Sequence, residues 1–147
     1  MKILLALDDS KFSQAATEAL IAQAKPKETE VRVLHVIEPL PVYPEGQAWG
    51  YGAKSIPVSA EERKEAEELV TRSAQTLRDA GFTVMTAVEQ GSPKVVIIDS
   101  AKEWPADLIV LGSHGRKGLD RFLMGTVSEA VARHAPCSVE IVRIPSR

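Results

Sequence analysis

Lys2-Ile3-Leu4-Leu5-Ala6-Leu7 is a nearly continuous apolar run that ends in the polar triplet Asp8-Asp9-Ser10. Such a run is typical of a strand that is buried on both faces of a parallel sheet. After Ser10 the apolar residues follow helical spacing as far as Pro26, and the β-branched run Val31 to Val36 predicts a second strand. The helical positions are Phe12, Ala15, Ala16, Ala19 and Leu20.

The rest of the chain continues this alternation. Ser59 and Glu62 have the spacing of a capping box, and Val95, Ile98 and Ala101 predict the inner face of the next helix. The alternation predicts an α/β fold with a parallel sheet and right-handed crossovers. The later predicted elements are a helix from Ser59, a strand Thr83–Val88, a helix from Ser92, a strand Leu108–Leu111, a helix from Thr126 to about Ala135 and a strand Val139–Ile144.

One segment, residues 38–58, has no periodicity and contains four prolines and three glycines. Loops of more than roughly 12–15 residues are uncommon in compact domains and are often functional or disordered. Tyr43, Trp49 and Tyr51 in this segment could cover a ligand. We favour the simpler interpretation, a surface excursion.

Size and charge exclude several classes of protein. The 147 residues predict a single domain, residues 1–147, and a net charge of 18 − 20 = −2 is not that of a nucleic-acid-coating protein. The single cysteine, Cys137, fits a reducing compartment. Asp8 and Asp9 interrupt the apolar start before it resembles a signal peptide, and no run approaches the ~20 apolar residues of a membrane span. We therefore expect a cytoplasmic protein that contacts neither membrane nor nucleic acid.

The segment from Gly112 to Thr126 carries the candidate chemistry. Its glycines allow the backbone to turn sharply and to expose peptide N–H groups, which form concave anion sites. It ends at a predicted helix start, whose unpaired amides and positive dipole end favour phosphate. Arg116, Lys117 and Arg121 outnumber Asp120 in it, an excess of positive charge in a net-acidic chain. The segment matches neither a P-loop nor a dinucleotide fingerprint, so from these residues a phosphate-binding loop and an ordinary glycine-containing surface loop both stay open.

Individual side chains suggest further roles. Asp8 and Asp9 could hold Mg²⁺ through phosphate oxygens. His114 could touch phosphate or act as an acid or base, but no carboxylate partner is evident nearby in the sequence. Thr126 and Glu129 have the spacing of a capping box. No spacing resembles a structural zinc site.

The pattern Gly112-x-x-Gly115, nine residues, then Gly125-Thr126 resembles the nucleotide-binding signature of the ATP-binding branch of the universal stress protein family. The resemblance extends over almost the whole chain, from the first strand to Pro136-Cys137-Ser138-Val139. It departs from the family at Asp9, where glycine is usual. The family fold is a doubly wound, Rossmann-like, five-stranded parallel sheet of order 3-2-1-4-5 with four helices. Its strand order reverses between the first and fourth strands, where open α/β sheets bind ligands.

The resemblance implies the following binding site for ATP. Ala6 and Asp8 would lie beside the adenosine, and Val36 would contact the adenine through its backbone. The ribose and phosphates would be lined by Gly112, Ser113, His114, Gly115, Arg116, Lys117 and Gly118. Gly125, Thr126 and Val127 would bind phosphate at the helix start, and any Mg²⁺ would be bound through the phosphates, with Asp8 as its candidate protein ligand.

The resemblance also implies a homodimer, because in the family the last strand, here Val139 to Ile144, pairs with its copy in a second subunit. The expected function is a homodimeric, ATP-binding stress-response sensor or binding module with no catalytic residue and at most weak ATP hydrolysis. Two alternatives stay open: a slow ATPase or phosphoryl-transfer enzyme, and a non-nucleotide interaction domain of the same fold.

Overall fold

A computed structural model describes residues 1–39, 41–42, 54–55, 57–114 and 125–144. Its main feature is a five-stranded, fully parallel sheet. In spatial order the strands are β3-β2-β1-β4-β5, so the predicted order 3-2-1-4-5 is confirmed. The strands are β1 (Lys2–Leu7), β2 (Glu30–Ile37), β3 (Thr83–Gln90), β4 (Leu108–Gly112) and β5 (Ser138–Val142).

Four helices connect these strands: α1 (Lys11–Gln23), α2 (Ala60–Asp79), α3 (Pro93–Glu103) and α4 (Thr126–His134). The capping box that the sequence predicted at the start of α2 is present, with Ser59 Oγ accepting the amide of Glu62 at 3.0 Å. Gly81 follows α2 with a φ of +97°, a conformation that glycine adopts without strain. No helix in the described ranges has the length and apolarity to cross a membrane.

The core consists of two apolar clusters, one on each face of the sheet. Ile3, Leu5 and Leu7 belong to the cluster under α1 and α2, whereas Leu4 and Ala6 belong to the cluster on the opposite face. Successive strand residues point to opposite faces, so a strand with both faces covered must be apolar at every position. This explains the uninterrupted apolar run at the start of the chain.

Two predicted helix faces are confirmed in part: Ala101 of α3 is buried and Ile98 packs against the core, and Ala16 and Leu20 of α1 are buried. Val95 of α3 is 51% exposed, whereas Ile97, Ser100 and Ala101 are buried. The helix therefore packs through the side that carries Ile97, Ser100 and Ala101, and Val95 lies off this side. In α1 the buried residues are Ser13, Ala16, Thr17 and Leu20, so two small polar residues lie on a face that the sequence predicted from apolar residues alone.

Most of residues 38–58 lies outside the described residues, including Tyr43, Trp49 and Tyr51, whose predicted role therefore stays a prediction. In its described part, Pro41–Val42 pairs antiparallel with Lys54–Ser55.

Candidate functional site

The strand pairing creates a crevice above the end of β1. β1 pairs with β2 as far as Leu7 and with β4 as far as Ala6. Both neighbours continue beyond it: β2 remains paired with β3 to Ile37, and β4 with β5 to Gly112. The carboxyl end of β1 is thus the floor of a gap between two longer strands. It lies where the direction of winding reverses, the position at which open α/β sheets bind their ligands.

Asp8, the first residue after β1, is held in a tight turn at the floor of this crevice. Its backbone N–H donates to Ser13 Oγ at 2.6 Å. Its Oδ1 atom accepts the Ser10 amide at 2.9 Å and the Ser13 hydroxyl at 2.7 Å. Ser10 is also the N-cap of α1 and accepts from the Ser13 amide. The start of α1 therefore fixes the orientation of the Asp8 carboxylate.

The backbone of Val36 forms one wall of the crevice. The amide of Glu30 donates to the Met1 carbonyl on the β1 side, whereas the Ile37 carbonyl accepts the Gly91 amide on the β3 side. Backbone groups of successive residues in a strand face alternate neighbours, so Val36, like Glu30, faces the β1 side. The last residue of β2 that pairs with β1 is His35, so the backbone of Val36 faces the β1 side just beyond the end of this pairing.

The first turn of α1 brings the Asp8 turn and the glycine segment together. A Cβ atom on Gly112 would lie 2.6 Å from Phe12 Cβ and 2.9 Å from the Phe12 carbonyl oxygen. The ring of His114 lies against the ring of Phe12, with a centroid distance of 5.2 Å. Phe12 is only four residues after Asp8, so the two loops that the sequence singled out are neighbours in space.

The Ser113 carbonyl fixes the start of α4 at the end of β4. It accepts the Gly125 amide at 2.7 Å and the Ser128 hydroxyl at 2.8 Å. The Ser113 amide donates a hydrogen bond to the Val142 carbonyl at 2.9 Å. The amides of Ser113 and Gly125 are thus used within the protein, which removes two of the donors that the sequence assigned to a ligand.

Within residues 125–144, the candidate donors are the first amides of α4. The N-cap is Gly125, which has no side chain with which to cap the helix, and Ser128 Oγ donates to carbonyls instead. The predicted Thr126–Glu129 capping box is wrong: Thr126 is the first helical residue, and Glu129 pairs with Arg133 at 3.1 Å. The first amides of a helix have no intrahelical acceptor, so the amides of Thr126 and Val127 are available to an anion.

His114 is the most unusual side chain of the site. Its Nδ1 atom is 3.1 Å from Ser113 Oγ, whereas Nε2 is buried and has no hydrogen-bond partner among the residues that the structure describes. Buried polar atoms are nearly always paired, so this nitrogen stands out among the described side chains.

The structure thus brings together most of the predicted site residues. Ala6, Asp8 and Val36 lie around the end of β1, and the Phe12 contacts connect them to Gly112 and His114. Ser113 joins the end of β4 to Gly125, Thr126 and Val127. Gly115, Arg116, Lys117 and Gly118 lie outside the described residues, so their assignment stays a prediction.

The described residues offer little protein ligation to a metal ion. They contain no group of three or more His, Cys, Asp or Glu side chains that could hold one. Asp8 Oδ1 already accepts two hydrogen bonds, so only its second oxygen is available. Mg²⁺ usually keeps several waters and binds one or two carboxylates plus substrate phosphates. Any Mg²⁺ here would therefore be held mainly by the phosphates of its ligand.

Sequence reasoning missed three residues that shape this site: Ser13, Phe12 as a contact of Gly112, and Ser128. The spacing Asp8-x-Ser10-x-x-Ser13 is a signal for Ser13, because an N-cap serine at position 10 accepts the amide three residues later, which is that of Ser13. Phe12 and Ser128 act across the fold, and no local pattern identifies their partners.

The fold and the crevice define a doubly wound α/β protein with a candidate anion site at its switch point. Comparison with known proteins identifies the family more closely. The sequence model of the universal stress protein family matches residues 1–143. Universal stress protein Sll1388 of Synechocystis is 34% identical, covering 97% of each chain. The chain belongs to the universal stress protein family.

Solved structures share this fold. The structure of hypothetical protein MJ0577 has a TM-score of 0.77 and 27% identity, covering 99% of this chain and 97% of that one. The universal stress protein from Archaeoglobus fulgidus in complex with dAMP has a TM-score of 0.69 and 20% identity, covering 97% and 98%. At that identity the second likeness concerns the fold alone.

Proposed function

We propose that this universal stress protein binds an adenine nucleotide, ATP in the first instance, in the crevice above β1. In this proposal the chain acts as one nucleotide-binding domain, a cytoplasmic, homodimeric sensor or binding module of the stress response, with no catalytic residue assigned and at most weak ATP hydrolysis. Two other universal stress proteins of this fold support an adenine ligand, since one was solved with AMP bound and one in complex with cAMP.

The observation that carries the proposal is the uncapped start of α4 beside the crevice. Helix starts are normally capped by a side-chain oxygen at the N-cap, and here that residue is glycine. The nearby serine, Ser128, donates to the carbonyls of Ser113 and Gly125 rather than accepting from the helix amides. A phosphate would supply the missing acceptor, and the positive end of the helix dipole favours its negative charge.

The other end of the crevice suits the nucleoside. The Val36 backbone faces the gap beyond the last β1–β2 pair, where its carbonyl could accept from the adenine amino group. Asp8 lies at the floor, and Ala6 is the last β1 residue paired to β4. Gly112, Ser113 and His114 would lie between base and phosphates, with Gly115, Arg116, Lys117 and Gly118 around the phosphates. Any Mg²⁺ would arrive with the triphosphate.

The dimer is proposed to form through β5 and the residues after it, Val139 to Ile144. β5 pairs with β4 on one side and is the edge of the sheet on the other. The Val142 carbonyl faces β4, because it accepts the Ser113 amide. By alternation, Val139 and Ile141 direct their backbone groups outward. An open edge of this kind favours pairing with a second copy.

Two measurements on the purified protein test the proposed ligand. Mass spectrometry of small molecules released on denaturation should identify an adenine nucleotide. Calorimetric titration should then give an affinity for ATP at least about tenfold higher than for adenosine, because several charge-assisted hydrogen bonds go to the phosphates. Equal affinities for ATP and adenosine would contradict the phosphate site. A turnover assay with the same sample measures any hydrolysis.

A further inference from the structure

The geometry around Asp8 contains a feature that nucleotide binding by itself does not require. Ser13, on the first turns of α1, has a hydroxyl that contacts Asp8 twice. It accepts the Asp8 backbone N–H at 2.6 Å and lies 2.7 Å from Asp8 Oδ1. Ser13 is only 6% exposed, so water does not compete effectively for these bonds.

The direction of these hydrogen bonds follows from their chemistry. The backbone N–H can only donate, so Ser13 Oγ is its acceptor, and the single hydroxyl proton is left for the carboxylate. Oδ1 then receives two donors, the Ser13 hydroxyl and the Ser10 amide. Within the described ranges, Oδ2 accepts no hydrogen bond. The carboxylate is thus locked through one oxygen and presents the other.

We propose that Ser13 is a positioning residue, which holds Asp8 through Oδ1 and so leaves Oδ2 to accept from a hydroxyl or amino group on the nucleoside half of the ligand. This inference rests on the proposed function and deepens it, because it names the residue that fixes the Asp8 carboxylate for binding. A carboxylate oxygen repels a phosphate oxygen but accepts a ribose hydroxyl or an amino group. Asp8 therefore accepts a hydrogen bond from the nucleoside, while the start of α4 binds the phosphates.

A purely structural role for Ser13 is the alternative. Its amide donates to Ser10 Oγ at 3.3 Å, so Ser13 also belongs to the cap of α1, and its carbonyl accepts the Thr17 hydroxyl at 3.1 Å. Loss of the Ser13 hydroxyl could simply destabilise this helix. The two roles differ in one respect: a positioning residue matters to binding only while Asp8 can use its free oxygen.

A double-mutant cycle with AMP as the probe separates the two roles. The four proteins are wild type, Ser13→Ala, Asp8→Asn and the double variant, each titrated by calorimetry. Asp8→Asn keeps the shape of the side chain and replaces one carboxylate oxygen by an NH₂ donor. We expect Ser13→Ala to weaken AMP binding about tenfold in the wild-type background and less than about twofold in the Asp8→Asn background.

Thr17→Ala is the matched control, since it also removes a buried hydroxyl of α1, one with no bond to Asp8. It should lower the melting temperature but change AMP affinity less than about twofold. Should Ser13→Ala fail to fold, Ser13→Cys fills nearly the same space with a weak donor and takes its place in the cycle.

An equal loss of affinity from the Ser13 substitution in both backgrounds would overturn the positioning role and leave the proposed function standing. The same holds if Thr17→Ala weakens AMP binding as much as Ser13→Ala does. Wild-type protein that binds neither AMP nor ATP would overturn the proposed function and this inference together.

Discussion

Gly112 and Phe12 approach so closely that the Cβ which glycine lacks would lie 2.6 Å from Phe12 Cβ. The close approach places the first turn of α1 directly against the end of β4. Gly112 therefore has a packing reason to be glycine, independent of any ligand. Because Phe12 is also in ring contact with His114, this approach fixes the Asp8 turn relative to the start of the glycine segment.

Gly112→Ala should destabilise the protein by roughly 1–3 kcal/mol, the usual cost of forcing an extra methyl group into a packed contact. Two of the atoms that the new methyl would meet belong to the Phe12 backbone, at 2.8 and 2.9 Å, and cannot move independently of α1. Urea denaturation measures the change. Gly125→Ala is the comparison, because its nearest contact is at 3.1 Å, and a larger loss there than at Gly112 would contradict this explanation.

Two substitutions at the start of α4 should have similar effects on the stability of the protein but different effects on its affinity for ATP. Asp and Asn are both good N-caps, so Gly125→Asp and Gly125→Asn should change stability by similar amounts, within about 1 kcal/mol of wild type. Asp also adds a negative charge where phosphate is proposed to bind. ATP affinity should therefore fall at least about tenfold further in Gly125→Asp than in Gly125→Asn. Equal ATP affinities in the two variants, measured by calorimetry, would place the phosphates elsewhere.

The proposed dimer is tested at the outward-facing backbone of β5. Proline lacks an N–H and is tolerated where that group does not pair with the neighbouring strand. Val139→Pro should therefore convert the dimer to a folded monomer, detected by analytical ultracentrifugation together with circular dichroism. Two results contradict the β5 interface: a wild-type protein that is monomeric at high micromolar concentration, or a Val139→Pro variant that remains dimeric.

Cys137 gives a pH-dependent prediction. Burial, and secondarily the negative charge of Asp107, raises the pKa of the Cys137 thiol. A group whose pKa is raised by folding contributes stability below its unfolded pKa and loses it as pH rises through the folded pKa. Above about pH 8.5, wild type should thus lose stability relative to Cys137→Ser. At pH 8 the native thiol should react more slowly with a disulfide reagent than the unfolded chain does. Equal rates would contradict the raised pKa.

Local sequence patterns predicted most of the elements. The first strand, Lys2 to Leu7, was predicted to the residue, because a strand buried on both faces has an unmistakable composition. The capping box of α2 was predicted equally well, since Ser59 and Glu62 interact within one turn. The strand order came from the resemblance to the family rather than from periodicity.

What the sequence did not predict depends on contacts between distant segments. The Thr126–Glu129 pattern predicted a helix cap, but the Ser113 carbonyl fixes Gly125 and Ser128 and so shifts the N-cap to Gly125. Val95 is exposed because α3 buries the side that carries Ile97, Ser100 and Ala101, and a buried serine is not part of an apolar pattern. Ser13 was overlooked because buried serines do not contribute to an apolar stripe.

The most direct test of the central claim is an amide NMR titration of the wild-type protein with adenosine and, separately, with ATP. Adenosine should shift the amide resonances near Asp8 and Val36 only. ATP should shift these and also the amides of Thr126, Val127 and Ser128, because its phosphates accept hydrogen bonds from the first turn of α4. If the amide resonances of Thr126 to Ser128 have the same positions with ATP as with adenosine, the phosphates do not bind at this helix and the central claim is wrong.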